Sequence, residues 1–113
     1  MEKFIFLFRG GMGDSRSPED MQAEMQQWFN WIDGLRKKGI YVGGDPLERT
    51  GKQLAGKKKT ITDGPFIESK EMVSGYVMIT AKDIDEAVEI SKSCPIFEYD
   101  GHLEVRPVHT LDM

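Results

Sequence analysis

Five consecutive apolar residues, Phe4 to Phe8, stand near the start of this chain of 113 residues. A strand with one wet face alternates apolar and polar residues, whereas an unbroken run needs cover on both faces. The run therefore predicts a central strand of a sheet that is covered on both sides. It is too short to cross a membrane, which takes ~20 apolar residues, and no small-residue cleavage site follows it as after a signal peptide. No other stretch comes closer to a membrane span, so no membrane partner is expected.

Composition narrows the class. At this length residues 1–113 are expected to form a single domain with one core. A chain 39% hydrophobic and 30% charged is globular rather than disordered. The lone cysteine, Cys94, rules out an internal disulfide and makes the cytoplasm the default location. A net charge of −4 argues against a nucleic-acid partner. The basic run Lys57, Lys58 and Lys59, just after Gly56, reads as a solvated hairpin tip.

After Gly10, Gly11 and Gly13, a helix start is legible at Ser17 (cap), Pro18 (first turn), Glu19 and Asp20. Met21, Met25, Trp28, Ile32 and Leu35 recur at helical spacing and predict its inward face. Gly39 is the expected left-handed stop. Ile40 to Val42 begins a second strand, which Gly43, Gly44 and Pro46 break or bulge. Leu47–Thr50 and Lys59–Thr62 read as the arms of an irregular hairpin, and Gly75–Thr80 as a further apolar strand. A second helix starts at the cap Asp83, with Glu86 three residues on and Ile84, Ala87, Val88 and Ser91 facing inward, and Pro95 ends it. Leu103–Val108 is the last strand, with Leu103 and Val105 on one face and His102, Glu104 and Arg106 on the other.

That order, strand-helix-strand, hairpin and strand, helix-strand, predicts an α+β, ferredoxin-like βαββαβ fold: an antiparallel sheet with both helices on one face. Alternate residues of the first strand must then point away from the helices, and so must part of Tyr76–Ile79. Such an apolar face is larger than a soluble monomer leaves open, so a second copy is the simplest cover. The expected assembly is a homodimer, with His102, Glu104, Arg106 and Gly75 lining a shared cavity that takes a small polar or anionic molecule.

The stretch Thr62–Glu71 gathers a Gly-Pro reversal and a cluster of charges beside an apolar strand. Asp63 is a candidate general base if desolvated; its structural alternative is capping its own turn. Glu68 and Lys70 alternate and could share a face toward a polar ligand, or form a solvated pair. Arg106 could hold a carboxylate in bidentate fashion, or pair with Glu104, Glu68 or Glu71. His102 is the histidine best placed on the polar face. No metal-ligand spacing and no phosphate-binding glycine motif appears, and no cofactor is expected. Trp28 and Trp31 read as helix packing, and Cys94 as buried and unreactive.

Taken together, DGPF at 63–66, ESKE at 68–71, Gly75-Tyr76, DIDEAVEI at 83–90, Cys94-Pro95 and EVRPV at 104–108 resemble the YCII-related, or DGPF-domain, family over nearly the whole chain. The resemblance implies a dimeric α+β barrel of two ferredoxin-like protomers. Shorter members are suspected of using a His and Asp pair; Asp63 matches the aspartate, but Gly10 follows Arg9 and the histidine does not carry over. The expected function is that of a small-molecule isomerase or lyase, with Asp63 as base and Arg106 as anion holder. The alternative is a non-catalytic ligand-binding or regulatory accessory domain linked to sigma-factor signalling.

Overall fold

The computed structural model describes residues 1–10, 17–64 and 72–111. Six strands, two helices and a 3₁₀ turn follow one another as β1 (Glu2–Gly10), α1 (Pro18–Lys37), β2 (Tyr41–Pro46), β3 (Gly51–Ala55), β4 (Thr60–Gly64), β5 (Val73–Ala81), α2 (Ile84–Ser91), the turn Pro95–Tyr99, and β6 (Gly101–Pro107). The main sheet is antiparallel in the order β2-β5-β1-β6, and β3-β4 forms a separate two-stranded sheet. With that hairpin set aside as an insertion, the order is that of the ferredoxin-like fold, and β1 is central.

The core lies between this sheet and the helices. Phe4, Phe6 and Phe8 of β1, Val77, Ile79 and Ala81 of β5, Leu35 of α1, Ala87 of α2, and Cys94 and Ile96 are buried together. Burying a side chain such as Phe6 stabilises the fold by about 2–3 kcal/mol. Trp28 meets Phe8 edge-on at 4.9 Å, and Trp31 stacks near Phe6 at 6.2 Å while its indole N–H donates to Ser93 Oγ at 2.9 Å.

Local chemistry sets the helix ends. Asp20 N–H donates to Ser17 Oγ at 3.1 Å. At the other end Gly39 takes φ +74°, Ile40 N–H donates to Leu35 O and Gly39 N–H to Arg36 O, a Schellman stop. In α2 the Glu86 N–H donates to Asp83 Oδ1 at 2.9 Å, and the Glu86 carboxylate takes the Lys82 N–H at 3.0 Å.

Three expectations need correction. Met21 and Met25 do not face the core: they are 58% and 57% exposed. The apolar stripe of α1 continues past the part that packs, so its first turns stand off from the sheet. Of the inward face expected for α2, Ala87 and Ser91 are buried as expected, but Ile84 and Val88 are exposed. The hairpin arms are Gly51–Ala55 and Thr60–Gly64, because Gly56 and Lys59 take positive φ and place the turn at 56–59. Lys57 to Lys59 thus form its tip.

The hairpin packs chiefly against itself, and all of its β3 residues are exposed. The radius of gyration, 15.8 Å, exceeds the ~13 Å of a compact chain of this length. The molecule measures 47 × 43 × 18 Å, a thin two-layer slab.

Candidate functional site

Strand registers fix what the sheet presents on the side away from the helices. Leu103 and Val105 pair with Phe8 and Phe6 on the core side, so Leu7 lies beside Glu104, Ile5 beside Arg106, and Arg9 beside His102. On the other flank Leu7 pairs with Tyr76 and Ile5 with Met78, and these pair with Asp45 and Gly43 of β2. One row across the sheet therefore reads Asp45, Tyr76, Leu7, Glu104, and the next Gly43, Met78, Ile5, Arg106. The face has a half-buried apolar centre and polar ends, and no described element covers it.

The charged end is a small network. Glu104 Oε1 accepts from Arg9 Nη2 at 3.2 Å, and its other oxygen lies 3.8 Å from Arg106 Nε. Glu104 thus lies between two guanidiniums, the nearer contact going to Arg9, and the strand register puts His102 at the same end. Across the sheet the Tyr76 hydroxyl donates to Asp45 Oδ2 at 3.4 Å. Sequence does not single out Arg9 or Asp45, and it gives Tyr76 only as part of an apolar strand. Arg9 was within reach, since it continues the outward alternation of Ile5 and Leu7; Asp45 was not, because the bulge between Tyr41 and Gly43 shifts the phase of β2.

The remaining predicted residues lie elsewhere. Asp63 stands on β4, largely exposed, and forms an ion pair across the hairpin with Lys52. It is on a different sheet from Glu104 and Arg106, and the Gly-Pro turn it was expected to cap runs outside the described residues. Glu68 and Lys70 lie outside the described residues, as do Pro65 and Phe66 of the DGPF stretch. Among the described residues no group of three His, Cys, Asp or Glu side chains could hold a metal ion. Burial pushes the Cys94 thiol up to about 12, a hydrogen bond with the Ile96 backbone opposing this in part, so it is no nucleophile.

A second feature lies on the helix side. The first turns of α1 and the β2–β5 flank bound a groove of about 590 Å³, whose lining includes Met21, Met25, Trp28, Phe29 and Leu47 with the charged Glu24 and Arg49. No helix among the described residues is long and apolar enough to cross a membrane.

A four-stranded antiparallel sheet in this order, with two helices on one face and a charged cluster on the other, defines a ferredoxin-like α+β protein. The chain belongs to the family described as the YCII-related domain, whose model matches residues 11–112. No curated protein matches it. Among solved structures it is similar to the 5-chloro-2-hydroxyhydroquinone dehydrochlorinase (TftG) from Burkholderia phenoliruptrix AC1100, in complex with 2,5-dihydroxybenzoquinone. Identity is 15%, the TM-score 0.49, and the match covers 92% of this chain and 90% of that one.

Proposed function

We propose that the chain acts as one domain, the protomer of a homodimeric α+β barrel that binds a small anionic molecule between its two sheets and transforms it as an isomerase or lyase. The observation that carries this reading is Glu104 between Arg9 and Arg106 at one end of a face whose centre is apolar. Covering that face with a second sheet removes water from the Arg106 guanidinium, which meets Glu104 only at 3.8 Å while the shorter contact of that carboxylate goes to Arg9. A desolvated charge that is only loosely paired is costly, and an anionic ligand supplies a closer partner. Arg106 presents a planar fork suited to a carboxylate or phosphate.

Asp45, held by the Tyr76 hydroxyl in the same row as Glu104, offers a carboxylate for proton transfer. Asp63 keeps the role of base in this reading only where its hairpin folds over the chamber. His102 lines the charged end.

Light scattering in dilute solution should give the mass of a dimer; a lone protomer would end this reading. Thermal-shift titration with inorganic phosphate and a panel of small mono- and dicarboxylates should show stabilisation that Arg106→Ala abolishes. Hits are then assayed for turnover with Asp45→Asn and Asp63→Asn. Turnover lost in either variant assigns the base, and binding without turnover in any hit favours the ligand-binding or regulatory domain over the enzyme.

A further inference from the structure

The β3–β4 hairpin is an arm rooted at the rim of the helix-side groove: Arg49 lines the groove and β3 begins at Gly51. Its register places Leu54 opposite Ile61 and, two residues along on the same side, Lys52 opposite Asp63. Leu54 and Ile61 form a cross-strand apolar pair, yet they are 60% and 64% exposed. An isolated two-stranded ribbon is marginal in water, and an apolar pair at its centre marks a surface that expects cover. The arm does not find that cover in its own groove: β3 and β4 pack chiefly on each other, and neither Leu54 nor Ile61 lines the groove.

The groove has the complementary deficit. Met21, Met25 and Phe29, at i, i+4 and i+8 along α1, are 57–60% exposed where a helix stripe normally packs. The charges match as well. The arm, residues 51–64, carries four lysines and one aspartate, whereas the rest of the chain holds 11 Lys and Arg against 18 Asp and Glu. Glu19, Asp20 and Glu24 sit on α1 beside the apolar stripe, and Glu48 follows Leu47 on the other wall.

We propose that the arm of one copy docks in the groove of a second copy, placing the partner's Leu54 and Ile61 against Met21, Met25 and Phe29, with the lysine tip meeting the acidic first turns of α1. A hairpin and a groove in every copy make the contact reciprocal, so a two-fold axis closes it. The contact goes beyond the anion-binding role proposed above and does not depend on it. It adds a second surface through which copies associate.

The test mixes two single variants, Leu54→Cys and Met25→Cys, under mild oxidation without any small molecule, and quantifies the 54–25 disulfide peptide by mass spectrometry. Only contact between copies can form it, and both sites are exposed, so neither substitution disturbs the core. Buried Cys94 stays silent. A control replaces Leu54→Cys with Leu111→Cys, equally exposed but far in sequence from the arm. Linkage at least ten-fold above the control supports the docking; linkage no greater than the control overturns it. Loss of anion binding with this linkage intact sinks only the earlier reading.

Discussion

Arg9 and Glu104 join neighbouring strands across the sheet, Nη2 to Oε1 at 3.2 Å, on the side away from the core. Both are partly exposed, so the pair contributes modestly to stability, about 0.5 kcal/mol. Its larger consequence is electrostatic. Glu104→Gln keeps the shape and removes the carboxylate that competes with a bound anion. Phosphate or carboxylate affinity should rise roughly three- to ten-fold, measured by calorimetry, with chemical denaturation nearly unchanged.

Phe6 is fully buried beneath α1 and beside Trp31. Phe6→Ala should destabilise the domain by about 3–5 kcal/mol through lost burial and a residual cavity, read as a shift in the urea midpoint. A domain of this size holds about 5–15 kcal/mol in reserve, so the variant loses a large share of its stability and should unfold at a much lower urea concentration.

Gly44 lies where a side chain has no room. A Cβ there would meet the Tyr76 carbonyl oxygen at 2.5 Å and Val77 Cα at 2.9 Å, both backbone atoms. Gly44→Ala should force β2 from β5, and hydrogen exchange at the β2–β5 amides should accelerate while the β1–β6 amides stay protected. Gly43→Ala, with nothing within 4 Å, is the control.

Cys94 ties stability to alkaline pH. Burial pushes its folded-state thiol up to about 12, above the ordinary thiol value of 9.0. The folded state therefore holds its proton more firmly, and the stabilisation is fully present below pH ~9 and lost as pH rises through ~12. Unfolding free energy should fall across that window by up to ~1.4 kcal/mol per pH unit, and Cys94→Ala should flatten the slope. Native protein should also resist a thiol reagent at pH 8 that labels it fully in denaturant.

Asp83 caps α2 through the Glu86 N–H. Asp83→Ala should cost about 1 kcal/mol, seen as a lower Tm, and Asp83→Asn should recover most of it.

Much of this was written locally. The run Phe4–Phe8 made β1 central, Ser17 and Gly39 bounded α1, Asp83 opened α2, and the alternation of β6 put Leu103 and Val105 opposite Glu104 and Arg106. Each rests on neighbours within a few residues, where backbone sterics and side-chain period dominate. The stripe Met21, Met25 could not be read correctly that way. Periodicity tells which residues share a helix face, but whether a wall stands opposite depends on where a strand 20 residues later ends.

Asp63 shows the same division. Its place before Gly-Pro marked a turn, yet its partner is Lys52, eleven residues back, because the turn at Gly56–Lys59 set a register that brings the two across the hairpin. Local order chose the strands, helices and caps. The antiparallel pairing of β1 with β6 decided that Arg9 joins Glu104 and Arg106 on one face, because only folding brings positions nearly a hundred residues apart within reach of one another.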